Sequence, residues 1–376
     1  MKLVKARRVT QVAFLLFFLI LFLRARFPYS DVPPSDLYIR FSPLIPLFDF
    51  IEHFRLYMLF WPALLILVLT PFLGRFFCGW ICPLGTTLDG VSHAVHSPTN
   101  KTSSRFNKLR FLKFGILVGT LLLALFSVNV WGYFDPLSIF NRGLTVLFYP
   151  LFTLAAENVL LGLTYIPFLE DQAYGIYTSY KAVIMPEAQG ALQQVFWVAL
   201  FVGGILGLEK LSRRFWCRYL CPAGAFLGFL SQYRLFERIV SDTCPSCMLC
   251  EKECKMNAIP EGISTTDKVE CIECFGCEEI CPTKIDAISY RWRWRPYHTS
   301  VDYSRRRFLQ TSVSSFAALG LLSIGLRNPT REVFAIRPPG ALPEEEFRDA
   351  CIRCQECVRI CSSNGRTLQP DGIRNS

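Results

Sequence analysis

The sequence lacks the signatures of two common cysteine-rich protein classes. It contains no C-x-x-C-H motif, so covalently attached haem is not expected. None of its 16 cysteines stands alone, because all of them fall in short clusters. A secreted disulfide scaffold, in contrast, is small and spreads its cysteines through loops. The pattern therefore argues against both a c-type cytochrome and a disulfide-stapled domain.

The composition indicates a membrane protein. Hydrophobic residues make up 52% of the chain, above the roughly 45–50% of an ordinary soluble domain. The net charge of +10 raises the question of nucleic-acid binding. In a membrane protein, however, positive charge collects on cytoplasmic loops. We therefore expect a membrane partner and no nucleic acid.

Apolar stretches before residue 240 predict transmembrane helices. The first follows a basic start and ends without an A-x-A cleavage site, so we expect a retained anchor rather than a cleaved signal peptide. Gly203-x3-Gly207, in the last stretch, would let another helix approach closely. The predicted spans are Val9–Leu23, Leu56–Leu73, Phe114–Trp131 and Ala191–Leu208.

Charge predicts the orientation of these spans. The segment Arg75–Lys113 is rich in Lys and Arg, with Asp89 as its single acid, whereas Gly132–Gly190 is poor in basic residues. The positive-inside rule then places the N-terminus, Arg75–Lys113 and the sequence after Leu208 in the cytoplasm.

One stretch, Leu144–Ile166, conflicts with this topology. It is apolar enough to span, yet it holds Pro150, Glu157 and Asn158. A full span there would put the sequence after Leu208 on the wrong side. We interpret it as a re-entrant or interfacial segment on the outer face.

Two cysteine pairs form an internal repeat, each just after an apolar span. Cys78 and Cys82 share with Cys217 and Cys221 the frame aromatic, Cys, three residues, Cys, Pro, one further residue, Gly. We call these the C-x3-C-P pairs. Together they supply four thiolates, the number that a cubic iron–sulfur cluster needs. A redox or metal role is favoured over simple helix-end packing, and a cluster and a dithiol both stay open.

The region after residue 240 has the cysteine spacing of a two-cluster ferredoxin. Two C-x2-C-x2-C-x3-C runs occur, and in such runs the fourth cysteine ligates the other cluster. Zinc is less favoured, because zinc sites use tetrahedral sets that are usually more widely separated. Pro282 follows the usual pattern after the second run, whereas Lys255 departs from it after the first. The predicted [4Fe–4S] ligand sets are Cys244, Cys247, Cys250 and Cys281 for the first cluster, and Cys271, Cys274, Cys277 and Cys254 for the second.

Basic and aromatic residues alternate in Arg291–Arg295. This pattern can bind single-stranded nucleic acid. The favoured interpretation is the last ferredoxin strand followed by a juxtamembrane basic stretch.

A twin-arginine motif lies far from the N-terminus. The stretch SRRRFLQTS at Ser304–Ser312 resembles a bacterial export signal, and Phe308–Leu326 contains no charge. A buried helix is the alternative. As a signal, the segment would carry the region after it to the periplasm.

A third cysteine run lies beyond this segment, at Cys351, Cys354, Cys357 and Cys361. It lacks the partner run that a two-cluster ferredoxin requires. We therefore expect a truncated product or fragment. In a complete chain, the third cluster would use Cys361 itself or a cysteine of another chain, or would not form.

The predicted fold is mainly α. We expect a polytopic bundle of about four spans, with a fifth signal-like span, and small α+β ferredoxin-like domains. The predicted domains are a membrane domain at 1–240, a two-cluster ferredoxin domain at 241–300, a signal-like segment at 301–330 and an incomplete ferredoxin-type domain at 331–376.

These motifs together resemble a membrane polyferredoxin family. The four spans, the C-x3-C-P pairs and the following ferredoxin resemble the quinol dehydrogenase membrane subunit of periplasmic nitrate reductase systems. The region Ser304–Cys361 is similar to its exported ferredoxin partner, as if the two were fused. Related proteins serve methylamine oxidation, nitrous oxide reductase and copper-oxidase assembly. The chain shows no flavin-attachment domain, which argues against the nitrous oxide regulator subtype.

The resemblance implies an electron-transfer component of the bacterial inner membrane. Electrons would pass from the quinol pool, through [4Fe–4S] clusters, to a periplasmic reductase or electron carrier. Glu52, His53 and Glu157 are candidates for a quinol site, with interfacial or loop positions as the alternative. A role in metalloenzyme assembly and a redox-sensing role stay open as alternative functions. The sequence predicts no particular oligomeric state.

Overall fold

A computed structural model provides the coordinates. It describes residues 2–24, 34–53, 60–95, 109–126, 130–164, 172, 174–178, 195–259, 266–282, 287–293 and 305–326. The α-helices in these ranges are α1 (Lys2–Arg24), α2 (Ile45–His53), α3 (Trp61–Leu73), α4 (Pro83–Ala94), α5 (Leu112–Leu125), α6 (Pro136–Gly143), α7 (Tyr149–Thr164), α8 (Val195–Gly207), α9 (Pro222–Ser231), α10 (Leu249–Glu253), α11 (Gly276–Glu279) and α12 (Arg305–Leu326). The strands are β1 (Phe236–Val240) and β2 (Ile288–Trp292).

The mainly helical prediction is confirmed, and helices form where apolar runs predicted them. α1, α3, α5, α8 and α12 each overlap a predicted span. Two helical stretches, Leu3–Arg24 and Pro136–Thr164, are long and apolar enough to cross a membrane by length and composition. The bundle of four or five spans stays a prediction.

The described part of the segment interpreted as re-entrant or interfacial belongs to one long helical stretch. α6 and α7 join through a π-helical turn at Leu144–Phe148, giving 29 residues from Pro136 to Thr164. At 1.5 Å per residue this measures about 44 Å, more than the roughly 30 Å of a hydrocarbon core. The polar residues fit a helix: Pro150 lies in the first turn of α7, and the Asn158 amide donates to the Leu154 carbonyl at 2.8 Å.

Outward-facing apolar side chains suit a lipid environment. On α1, Val9 is 69% exposed, and on α8, Phe196 is 67% exposed. Similar exposed apolar residues follow the outer faces of α3, α7 and α12. Soluble monomers rarely leave so much apolar surface uncovered. The arrangement therefore suggests a protein that sits in a membrane.

The helix that carries the twin arginine packs closely on α5. A Cβ added to Gly115 would lie 2.6 Å from the Thr311 carbonyl oxygen, and one added to Gly119 would lie 3.1 Å from the Phe316 nitrogen. Small residues four apart allow such backbone approach in membrane helices. The close contact predicted at Gly203-x3-Gly207 is not found: no described atom lies within 4 Å of a Cβ built on either glycine.

The ferredoxin region closes with a two-stranded antiparallel sheet. Phe236 pairs with Trp292 and Val240 pairs with Ile288, so β1 before the first cysteine run meets β2 after the second. The predicted last strand is therefore confirmed at Ile288–Trp292. Its α10 and α11 each begin one residue before the third cysteine of a run.

Candidate iron–sulfur centres

Both C-x3-C-P pairs adopt the same local structure. The first cysteine of each pair lies in a π-helical turn, Phe77–Ile81 in one copy and Trp216–Leu220 in the other. The second cysteine, Cys82 or Cys221, has extended backbone and caps the helix that begins at the following proline. Proline suits that first position because its missing N–H would have no helical partner there. The repeat in sequence is thus a repeat in structure.

The four thiols of the pairs lie close enough together to affect one another. Burial raises the pKa of Cys82, and the neighbouring thiols of Cys217 and Cys78 add to the rise. Burial also raises the pKa of Cys221, again with contributions from Cys217, Cys78 and Cys82. Burial favours the neutral form of an unligated thiol. Thiolates at this depth need a cation, which bound iron would supply.

An arginine that precedes each C-x3-C-P pair contacts the other pair. Arg214 precedes the second pair and donates to the carbonyls of Cys78, at 2.9 Å, and Gly85, at 3.0 Å, in the first copy. Arg75 precedes the first pair, and its Nη2 would lie 2.7 Å from a Cβ on Gly224 in the second copy. Each glycine therefore leaves room for the arginine of the other copy. These reciprocal contacts hold the two pairs next to each other.

Sequence reasoning missed these two arginines, although the sequence contains the signal. Arg75 and Arg214 stand three residues before the first cysteine of their pairs, so the repeated frame extends further back than the aromatic residue. Both side chains are fully buried.

Asp89 of α4 joins several elements around the pairs. Its carboxylate receives Arg7 at 2.6 Å, Arg214 at 2.8 Å and Lys255 at 3.1 Å. Burial alone would raise the pKa of Asp89, but the charges of Arg214, Lys255 and Arg7 hold it well below its ordinary value. The contact also accounts for Lys255, which replaces the usual proline after the first ferredoxin run.

The two predicted ligand sets stay a prediction, and electrostatic effects link several cysteines within each set. In the second set, Cys271 and Cys277 are each affected by the thiols of Cys274 and Cys254, although burial is the larger cause of their raised pKa values. In the first set, burial raises the pKa of Cys250, and the Cys244 and Cys247 thiols add to it. Cys281 and Cys254 both pack against a small core that contains Cys250 and Cys277, so this core joins cysteines of both sets.

The two cysteine loops share a backbone shape. The residues on either side of the second cysteine have left-handed conformations in both runs. These are Ser246 and Met248 in the first, with φ of 55° and 58°, and Glu273 and Phe275 in the second, with φ of 49° and 57°. Non-glycine residues adopt such conformations uncommonly, and they concentrate at functional sites. The repeated geometry indicates two equivalent ligand loops.

The first C-x3-C-P pair packs directly on the second ferredoxin loop. We call this contact, formed by Gly79 and Trp80 against Ile272–Phe275, the junction. The Trp80 indole donates to the Glu273 carbonyl at 3.0 Å, and its ring meets Phe275 edge-on at 5.9 Å. One buried core contains cysteines of both regions: Cys78, Cys82, Cys217, Cys221, Cys254, Cys271 and Cys274.

The donor set fits [4Fe–4S] clusters. Each iron of such a cluster takes one cysteine thiolate. Among the described side chains, no three His, Cys, Asp or Glu residues converge as they would around a single metal ion. A cluster needs no such convergence, because its ligands bind different irons. Arg75 also leaves its buried Nε and Nη2 without a hydrogen-bond partner among the described residues, close to Cys78, Cys217 and Cys221. Those donors suit an anionic cluster.

The candidate quinol-site residues Glu52 and His53 end α2, and their side chains lie outside the described part of the structure. Glu157 is half-buried on α7 and receives the Tyr177 hydroxyl at 3.5 Å. The third run, Cys351–Cys361, lies outside the described residues.

Comparisons with known proteins agree with an iron–sulfur assignment. A family model described as a 4Fe-4S binding domain matches residues 54–101 and 193–241, and each match includes one C-x3-C-P pair. The chain is 27% identical over 248 residues to the uncharacterized protein MJ0750 of Methanocaldococcus jannaschii, covering 61% of this chain and 77% of that protein. No solved structure matches significantly.

The names of two other relatives refer to ferredoxins or to electron transport. The chain is 28% identical over 185 residues to the methylamine utilization ferredoxin-type protein MauN of Paracoccus denitrificans, covering 48% of each chain. It is 25% identical over 218 residues to the putative electron transport protein YccM of Escherichia coli, covering 57% of this chain and 51% of that protein. The chain thus matches the 4Fe-4S binding domain model twice and is similar to ferredoxin-type and electron-transport proteins.

Proposed function

We propose that the chain is a membrane iron–sulfur protein that passes electrons from the quinol pool to a periplasmic reductase or electron carrier. The observation that carries the proposal is the shared core at the junction. It brings the four C-x3-C-P thiols beside Cys254, Cys271 and Cys274 of the ferredoxin. Bound [4Fe–4S] clusters would supply one-electron transfer at these positions.

The burial of the cysteines supports an order for the relay. The C-x3-C-P pairs are mostly buried, and the second ferredoxin set lies against them. The first ferredoxin set lies further out, where Cys247 is exposed and Cys244 is half-buried. Electrons would thus enter or leave through the first set, where a partner can approach.

The proposed function requires a quinol site. Quinol oxidation releases protons, so it needs nearby groups that accept them. Glu157, Glu52 and His53 are the candidates. If Glu157→Gln and His53→Ala leave quinol-driven reduction unchanged, these residues do not form the site.

Anaerobic purification in detergent, followed by addition of a reduced quinol, tests the function. We expect electron paramagnetic resonance to show rapid reduction of the clusters, and oxidised quinone to drain them again. Clusters that stay oxidised with quinol would contradict quinol oxidation and would favour a role in metalloenzyme assembly.

The fate of the third run needs a separate test. We propose that the twin-arginine segment carries residues after it to the periplasm, where Cys351–Cys361 would contribute a third cluster. A topology reporter fused after Arg337 should be active on the periplasmic side. A reporter that stays in the cytoplasm would contradict export.

A further inference from the structure

Arg218 is a buried cation with no hydrogen-bonding partner in the described part of the chain. It lies between Cys217 and Cys221, at the position that Gly79 occupies in the first pair. Its residue exposure is 0%. Its Nε, Nη1 and Nη2 atoms all lack a hydrogen-bond acceptor among the described residues. Its guanidinium carbon lies 5.0 Å from the centre of the Tyr219 ring.

Other buried arginines around the cysteines do have acceptors. Arg214 pairs with Asp89, Arg75 pairs with Glu270, and Arg234 pairs with Glu273. Burying an unpaired charge is costly, and a ring face offsets only part of that cost. An anion beside Arg218 would offset the rest.

The nearby carboxylate of Glu270 accepts no hydrogen bond from Arg218. Glu270 already receives Lys113 on Oε1 at 2.6 Å and Arg75 on Oε2 at 3.3 Å. Arg110, the other charged neighbour, is a cation and donates to the Asn257 carbonyl. Among the described residues that act most strongly on the Arg218 charge, the remaining one is Cys254, a predicted ligand of the second cluster.

We propose that Arg218 contacts the iron–sulfur cluster ligated by Cys254, donating hydrogen bonds to its sulfurs and stabilising its reduced form. The inference rests on the proposed function, because it requires a cluster at Cys271, Cys274, Cys277 and Cys254. A cluster held by four thiolates is a net anion, and its reduction potential depends on charge and on hydrogen bonds to its sulfurs. A fixed cation favours the state with the added electron.

Redox titration of the purified holoprotein, followed by electron paramagnetic resonance, tests this role. In Arg218→Met we expect one [4Fe–4S] centre to become harder to reduce by at least tenfold in equilibrium constant, or about 59 mV for one electron. The other centres should titrate as in the wild type. Arg213→Met is the matched control, because Arg213 is partly exposed and pairs with Glu253 at 3.4 Å, where solvent screens its charge. It should shift no centre by more than about threefold.

If Arg218→Met retains its clusters, an unshifted titration would overturn the role of Arg218. If Arg218→Met loses a cluster, the iron content of two further variants decides: Arg218→Lys keeps the charge and should retain the iron, whereas the neutral Arg218→Gln should not. In that case equal iron in the Lys and Gln variants would overturn the role of Arg218. Absence of [4Fe–4S] signals from the wild type would instead contradict the proposed function itself.

Discussion

At the scale of single residues, Asp89 has the most ion-pair partners among the described charged residues around the C-x3-C-P pairs. Asp89→Asn leaves Arg7, Arg214 and Lys255 without their shared carboxylate. Removing one partner from a buried ion pair costs about 3–5 kcal/mol. We therefore expect a clear fall in the thermal unfolding midpoint of the detergent-solubilised protein. Asp36→Asn is the control, because Asp36 pairs with Arg40 in a partly exposed i,i+4 contact worth under about 1 kcal/mol.

The same carboxylate predicts a pH dependence with a definite sign. The pKa of Asp89 lies below its ordinary value of 3.8 in the folded chain. Its contribution to stability is therefore complete above about pH 4 and is lost as the pH falls further. Between pH 5 and pH 8, the difference in midpoint between wild type and Asp89→Asn should stay constant. A difference that vanishes toward pH 5 would show that the carboxylate is not held ionised.

The junction forms because residue 79 is a glycine and has no Cβ. A Cβ at this position would lie 2.2 Å from the Ile272 carbonyl oxygen, so Gly79→Ala must push the ferredoxin loop away from the first pair. Overpacking of this kind costs roughly 1–3 kcal/mol. We expect a lower midpoint and slower electron exchange between the centres, measured by freeze-quench electron paramagnetic resonance.

Gly90→Ala is the matched control for that change. Gly90 lies in α4, and no described atom comes within 4 Å of its added Cβ. Alanine should stabilise the helix by up to about 1 kcal/mol and leave electron exchange unchanged. Equal effects of the two substitutions would contradict the importance of the junction.

At the scale of elements, α12 depends on the glycines of α5. Gly115→Leu and Gly119→Leu place side chains where the α12 backbone now lies. We expect α12 to separate from α5, which limited proteolysis near Arg305 and a lower midpoint would report. Gly203→Leu is the control, since its added side chain meets open space among the described residues. Unchanged proteolysis in the α5 variants would contradict the packing.

The elements differ in how far sequence could predict them. Apolar runs in the sequence predicted α1, α3, α5, α8 and α12. A helix that is buried in lipid or protein can be recognised from the composition and length of its apolar run alone. The interface at Gly115 and Gly119 was missed, and among the described residues no helix approaches Gly203 or Gly207. Both pairs of glycines have the same spacing in an apolar helix, and only the position of α12 distinguishes them. The re-entrant or interfacial interpretation of Leu144–Ile166 stays a prediction, and the structure adds that its described part is helical.

At the scale of the whole molecule, cysteine spacing predicted candidate ligand sets, and distant contacts complete their surroundings. The grouping of Cys254 with the second run follows from a rule of spacing. The packing of Gly79 on Ile272 does not, because the two residues are 193 positions apart and only the fold brings them together. Arg75 and Arg214 could have been found by extending the repeat, but their exchange between copies required the structure.

The central claim is that the two C-x3-C-P pairs jointly hold a cluster beside the ferredoxin centres. Iron and acid-labile sulfide, counted in anaerobically purified wild type and in Cys82→Ser and Cys221→Ser, test it most directly. The account predicts that either substitution removes about four irons and four sulfides per chain, while the ferredoxin signals remain. Equal iron and sulfide in the wild type and both variants would contradict it.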